Sequence, residues 1–315
     1  MTNKARPQTS NSFWLVHAAL LSVQLSFGGF HVFAKYLLRY MHPLALAGIR
    51  ILIAMPILLV TAYAVERTLP KLRDLPHLAL LGFLGVFANQ VLFILGLNYT
   101  TATNAAIFMP SIPVFAAGVA VLLRVEKMSV GRMIGILLAV GGAVAMLDFS
   151  NVTFGRGPFF GNILMLFNCL SYAAFLVLQR PILKRLPPLT VIAWAFVFGF
   201  IFILPVSAGK LITIDTSVLP DLGWVGLVYV ILLPTVYSYA ANTWAIRRST
   251  PTLAATYTTL QPVATATLAA FFLGEMAGWR QAVGFVLIMG GLAVVSRAMK
   301  KTSAANAKIA ASEKQ

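Results

Sequence analysis

Apolar residues along this chain fall into long runs, not into the alternation of a strand or the one-sided stripe of a surface helix. Ten runs stand out, at 13–38, 44–64, 77–97, 101–123, 132–148, 158–179, 188–208, 221–244, 253–273 and 281–299. A helix crosses the hydrocarbon core of a bilayer with about 20 apolar residues. The pattern therefore predicts an all-α polytopic membrane protein with ten spans. The connections are short, so successive helices are antiparallel neighbours and no soluble domain is inserted. The tails, 1–12 and 300–315, read as disordered, the second being rich in Ala and Lys. The run 13–38 is longer than a signal-peptide core and no small-residue cleavage site follows it, so it reads as a retained span.

Composition agrees: 59% of the residues are hydrophobic and 10% charged, against about 25% charged in soluble domains, and the mean hydropathy is +0.87. The net charge of +16 would point to nucleic acid in a soluble protein, but its placement gives it a different meaning. With a cytoplasmic N-terminus, 18 of the 24 basic residues fall on the cytoplasmic side, five on the other, and Arg50 lies within a span. Such a split is the positive-inside signal. It predicts a multi-pass protein of the plasma or bacterial inner membrane with both termini cytoplasmic, a lipid bilayer as its partner and no nucleic acid. The single cysteine, Cys169, excludes an internal disulfide and a cysteine-cluster metal site.

The chain repeats itself. "PVFAAGVAVLLRVE" at 113–126 returns as "PVATATLAAFFLGE" at 262–275, and with a shift of 149 Thr103–Met146 aligns without gaps onto Thr252–Val295 with 12 of 44 positions identical. With a shift of 145, Ser26 matches Ser171, Phe30 matches Phe175, and Pro43-Leu44 matches Pro188-Leu189. The expected organisation is thus a five-span unit at 13–148 and a second at 158–299. Five is odd, so the second unit is inverted relative to the first. Inverted repeats are an architecture of secondary transporters, which bind solute near midplane between the repeats.

The duplicated ten-span plan, the P-x12-E stretch of spans four and nine, and the glycine pairs of spans five and ten resemble the EamA branch of the drug/metabolite transporter superfamily. The resemblance covers roughly 13 to 299. It implies helices one, three, four, six, eight and nine around a central cavity, and transport of small metabolites, amino acids among them, with export prominent.

Several residues bear two readings. Glu126 and Glu275 end spans four and nine; they are expected as interfacial or capping groups, with coupling carboxylates as the alternative. Gly135, Gly141 and Gly142, with Gly284, Gly290 and Gly291, are expected to pack span five against span ten. Pro110, Pro113, Pro234 and Pro262 mark either kinks or broken helices beside solute. Arg50, about 10 Å into its helix, is either a solute ligand or a structural tie. The EamA resemblance includes an arginine near this place.

The candidate solute-binding set is Gln24, His31, Arg50, Asn89, Gln90, Asn168, Tyr172, Tyr237, Asn242, Trp244, Tyr257 and Gln261. These side chains are polar or amphipathic within spans, where unpaired polarity is costly. Amides with aromatics suit a medium-sized, partly apolar solute. A guanidinium favours a carboxylate or phosphate taken bidentately. No Asp or Glu lies in mid-span; if protons couple, His31 is the best-placed group and His17 the second. No GxxxxGK[ST], HExxH or GxSxG motif occurs, no cofactor is expected, and the interior is too sparse in acid, base and metal ligands for an enzyme. The resulting expectation is a secondary carrier exporting small organic solutes. A channel is the competing reading, and the sequence does not separate a monomer from a homodimer.

Overall fold

The computed structural model describes residues 10–123, 129–145, 157–215, 217–249 and 251–312. Every regular element among them is helical. Helix α1 is Ser10–Leu37, and α2 is Pro43–Glu66. Helix α3, Leu75–Leu81, passes through a π-helical turn, Gly82–Ala88, into α4, Asn89–Tyr99. Helix α5, Ala102–Phe108, is separated by a 3₁₀ turn, Met109–Ser111, from α6, Ile112–Leu122. Then come α7, Val130–Ala145; α8, Gly157–Ile182; and α9, Pro188–Ile212. Helix α10, Asp221–Ile231, continues through a second π-helical turn, Leu232–Tyr237, into α11, Ser238–Arg248. Helix α12, Pro251–Tyr257, is separated by the 3₁₀ turn Thr258–Leu260 from α13, Gln261–Leu273, and α14 is Trp279–Ser312.

Among the described residues, seven helical segments are long and apolar enough to cross a membrane. They account for seven of the ten expected spans. The other three fall on helices of a different character. The run 132–148 overlaps α7, whose apolar part is Met133–Gly142; 281–299 lies in α14, apolar over Trp279–Val295; and 253–273 is divided between α12 and α13. Helix α14 also continues through the expected disordered tail to Ser312, consistent with the strong helix propensity of Ala and Lys.

The breaks follow from proline. Pro110 and Pro262 lack the N–H that a continuous helix would use. The carbonyls this would leave open, those of Ala106 and Thr258, accept from the N–H groups of Met109 and Gln261 as a 3₁₀ turn does. Hydroxyls bond other carbonyls at the breaks, Ser111 Oγ donating to that of Phe108 at 2.6 Å and the Thr258 hydroxyl lying 2.7 Å from that of Ala255 and 3.1 Å from that of Met109. The two 3₁₀ turns, 109–111 and 258–260, are related by the repeat shift of 149.

Packing is also paired. Helix α1 lies on α13 as α8 lies on α6; α4 lies on α8 as α1 lies on α10 and α11; α2 packs on α9, and α7 on α14. The α7–α14 contact is built on the expected glycines. A Cβ at Gly135 would sit 2.7 Å from the Gly291 carbonyl oxygen, one at Gly291 2.5 Å from that of Gly135, and one at Gly142 2.8 Å from that of Gly284. Gly141 and Gly290 face open space.

Carboxylates tie helix starts to helix ends at the two extremities of the bundle. At one, Glu66 accepts from the N–H groups of Leu189 at 3.1 Å and Thr190 at 2.7 Å, the first turn of α9. Arg185 pairs with Asp74 at 3.1 Å at the same end. At the other, Glu275 accepts from the N–H groups of Ala102 at 3.1 Å and Thr103 at 3.0 Å, the first turn of α5. Here too Lys35 Nζ donates its three protons to the carbonyls of Leu97, Asn98 and Thr100, at 2.8, 3.3 and 2.6 Å. Glu126, the repeat partner of Glu275, lies outside the described residues. Glu275→Gln retains only one oxygen that can accept and loses the charge facing a helix N-terminus. Thermal unfolding in detergent is expected to show a loss on the order of 1–2 kcal/mol, with the pH profile of transport unmoved. A well-folded variant whose pH profile shifted would transfer Glu275 from scaffold to mechanism.

Candidate substrate-binding site

A cavity lies among the inner faces of the helices. Helix α1 lines it with Phe27, Phe30 and His31; α2 with Arg50; α4 with Asn89, Gln90 and Phe93. The break after α5 contributes Met109 and the start of α6 Ile112, α8 contributes Asn168 and Tyr172, α11 Tyr239, and α13 Gln261. These are the helices around which the family resemblance puts a cavity, with α2 added. The room inside is about 40 Å³, enough for about three waters, so a solute of drug-like size enters only if the lining helices part.

The chemistry is cationic and aromatic. Arg50 is 1% exposed and its guanidinium lies 4.0 Å from the Phe30 ring centroid. Phe30 in turn stacks on Phe93, with centroids 4.8 Å apart. Nε and Nη2 of Arg50 both donate to Thr235 Oγ1, at 3.1 and 2.7 Å, whereas Nη1 has no hydrogen-bond partner among the described residues. No carboxylate among the described residues lines the cavity. His31 Nδ1 sits 2.6 Å from the Phe27 carbonyl oxygen and must be the donor there, since a carbonyl can only accept. His31 Nε2, Gln90 Nε2 and Gln261 Oε1 are also buried without partners among the described residues.

Amides fix the frame around these groups. The Tyr239 hydroxyl lies 2.9 Å from both the Gly85 carbonyl oxygen and Asn89 Oδ1. Asn168 Nδ2 donates to the Asn89 carbonyl at 2.7 Å, and Ser171 Oγ to that of Leu84 at 2.8 Å. Gly85 and Leu84 lie in the first π-helical turn, where the main-chain ladder is loosened and side chains of α8 and α11 take up the carbonyls.

Of the residues singled out by sequence, His31, Arg50, Asn89, Gln90, Asn168, Tyr172 and Gln261 meet at this cavity. Two more adjoin it: Gln261 Nε2 donates to Gln24 Oε1 at 2.5 Å, and Asn242 Nδ2 to the Tyr172 hydroxyl at 3.0 Å. Three are elsewhere. Tyr237 bonds Ser22 at 2.6 Å and Tyr257 bonds His17 at 2.5 Å. Trp244 lies under the Arg248 guanidinium and, with Tyr237, lines a groove at the Glu66 end. The residues that sequence reasoning left out of the set are Tyr239, Met109, Ile112, the phenylalanines Phe27, Phe30 and Phe93, and Thr235, the partner of Arg50. Tyr239 had a signal, its place in a polar run of span eight; the phenylalanines, in apolar runs, had none.

Long apolar helices around a buried, cation-bearing cavity define a polytopic helical membrane protein with a small internal cavity. The family model of the EamA-like transporters matches the chain twice, at 14–147 and 159–297, and the chain belongs to that family. It is 29% identical to the protein WALLS ARE THIN 1 of Arabidopsis thaliana, over 88% of this chain and 81% of the relative. It is 28% identical to an uncharacterized transporter of Archaeoglobus fulgidus, over 88% and 95%. It is 27% identical to the uncharacterized transporter YetK of Bacillus subtilis, over 79% and 76%. One solved crystal structure shares the fold with a TM-score of 0.62 at 17% identity, covering 93% of this chain and 99% of that one.

Proposed function

We propose that this membrane transporter is a secondary carrier that exports small organic solutes bearing a carboxylate and an apolar, often aromatic, body, by alternating access between two inverted five-helix halves. The observation that carries the reading is Arg50: a buried guanidinium whose Nη1 lacks a partner among the described residues, in a cavity they line without an acid. A charge in a span is expensive unless something uses it. The carboxylate meets Arg50, with Gln90 Nε2 as a second donor; His31 Nε2 and Gln261 Oε1 accept from any N–H or O–H of the solute. Phe27, Phe30 and Phe93 receive its apolar part. Inverted halves are supported by the double family match and by the repeat-related pairing of helices. The test is a transport screen in proteoliposomes with amino acids, nucleobases and organic acids, with solute loaded on either side and with and without a pH gradient. Saturable counterflow of a carboxylate supports the carrier; unsaturable flux, or uptake confined to neutral solutes, overturns it.

The charge pattern supports an orientation. Arg67, Lys71, Arg73, Arg185, Arg247 and Arg248 belong to the Glu66 end, and Lys35 to the sparser Glu275 end. Reporter fusions at Ser12 and Lys301 are expected to report the cytoplasm, and one within 149–157 the opposite side. A C-terminus on the outer side would remove the inversion and the span count together.

A further inference from the structure

We infer that Thr235 is a positioning residue for Arg50, and that the π-helical turn bearing it aims the guanidinium at the solute. The inference rests on the reading of Arg50 as the anion ligand and goes beyond it by asking what orients that ligand.

A guanidinium has two forks, a side fork of Nε–H with one Nη2–H and an end fork of Nη1–H with the other Nη2–H. Thr235 Oγ1 lies 3.1 Å from Nε and 2.7 Å from Nη2, so it occupies the side fork. The end fork, whose Nη1 has no partner among the described residues, is left for a carboxylate to take with two oxygens. The hydroxyl itself is saturated: its proton goes to the Val230 carbonyl at 2.6 Å and its two lone pairs face Arg50. Thr235 is fully buried and β-branched, hence stiff at χ1. The geometry of Arg50 is therefore set from span eight, 185 positions away along the chain.

The duplicated architecture supplies an internal control. Both halves carry a π-helical turn at related places, Gly82–Ala88 and Leu232–Tyr237. Each turn packs on the second helix of the other half, the first on α9 and the second on α2. At the first of these contacts the counterparts of Thr235 and Arg50 are Val86, by the shift of 149, and Ala195, by the shift of 145. That contact is tight and apolar: a Cβ on Gly199 would collide with Val86 Cγ1, and one on Gly82 would lie 2.6 Å from the Ala195 carbonyl oxygen. The common scaffold thus needs neither a hydroxyl nor a guanidinium there. Two independent departures from the repeat meet at one bond, which is what a pair installed for the solute would look like.

The experiment uses the full-length protein and a panel of aromatic and aliphatic monocarboxylates, each paired with its primary amide, read by solute-induced thermal stabilisation and by transport per folded molecule. Thr235→Val keeps the shape and removes the hydroxyl. Carboxylate affinity is expected to fall on the order of 10- to 100-fold, the scale of a lost hydrogen bond to a charged group; amide affinity stays within about twofold; and Thr235→Ser restores the carboxylate preference. A merely structural role would lower both members of each pair together. Full carboxylate preference in a folded Thr235→Val protein, or equal losses for acid and amide, overturns the inference while Arg50 keeps its assignment. No carboxylate preference in the native protein, or none lost in Arg50→Ala, overturns the anion reading and the inference with it.

Discussion

Arg50→Ala is expected to nearly abolish carboxylate transport. Removing one partner of a buried, hydrogen-bonded charge pair costs about 2–5 kcal/mol, on the order of 30-fold at the low end and several thousandfold at the high end. Arg50→Lys keeps the charge but has no planar fork; it cannot hold Thr235 Oγ1 side-on and a carboxylate end-on together, so an intermediate loss is expected. Arg50→Leu separates function from folding. It removes a guanidinium whose burial in a span costs about 2.5–3.5 kcal/mol on insertion scales, and only the hydroxyl of Thr235, still bonded to the Val230 carbonyl, must adapt. The Leu protein is expected to fold well and transport little. Transport per folded molecule, with solute-induced stabilisation alongside, is the measurement. If folded protein and transport fell in proportion in all three variants, Arg50 would be a structural tie. Unchanged solute affinity in a folded Arg50→Ala protein would remove it from the site.

Gly291→Val is expected to be among the most damaging single changes, although it touches no solute. A Cβ there would lie 2.5 Å from the Gly135 carbonyl oxygen and 2.9 Å from the Ala139 nitrogen, and backbone cannot swing aside as a side chain can. Overpacking of this kind costs about 1–3 kcal/mol and at times more, and here it acts on the main attachment of α14 to α7. Gly135→Val is expected to do the same from the other side. Gly141→Ala and Gly290→Ala are the controls: nothing lies within 4 Å of either added Cβ, and alanine gains up to about 1 kcal/mol in helix propensity. Equal damage at all four positions, read by thermal unfolding in detergent, would show that the glycines act through flexibility and not through close approach.

Seven of the ten expected spans were legible because apolarity and length are local properties, and an interruption of the helix near Pro110 and Pro262, kink or break, because proline acts on its own helix. The repeat was legible from 12 identities in 44 positions. The π-helical turns were not. "GFLGVFA" reads as ordinary apolar helix, "LLPTVY" shows only Pro234 as a kink or break, and the extra residue each turn accommodates depends on partners in other spans. That extra residue rotates the rest of the helix by about 100°, so a face drawn on an unbroken helix is misaligned beyond it. The site was legible as a population of interior polar side chains, with Arg50 prominent as a charge set about 10 Å into its span. Its azimuthal arrangement was not, and Thr235, a single hydroxyl in an apolar run, could be recognised only once the distant Arg50 lay beside it.

The carboxylate ties at the two ends of the bundle bear on how related sequences should be read. Glu66 and Glu275 bind main-chain N–H groups of Leu189, Thr190, Ala102 and Thr103. A main-chain N–H is supplied by every residue type except proline. The receiving positions can therefore drift through most of the amino-acid alphabet without weakening the bonds to the main chain, and residue-pair covariation will see little of this coupling even though it joins opposite halves of the chain. Its statistical trace is an exclusion: proline should be rare at 102, 103, 189 and 190 wherever the matching carboxylate is kept, and free to appear where that carboxylate is gone.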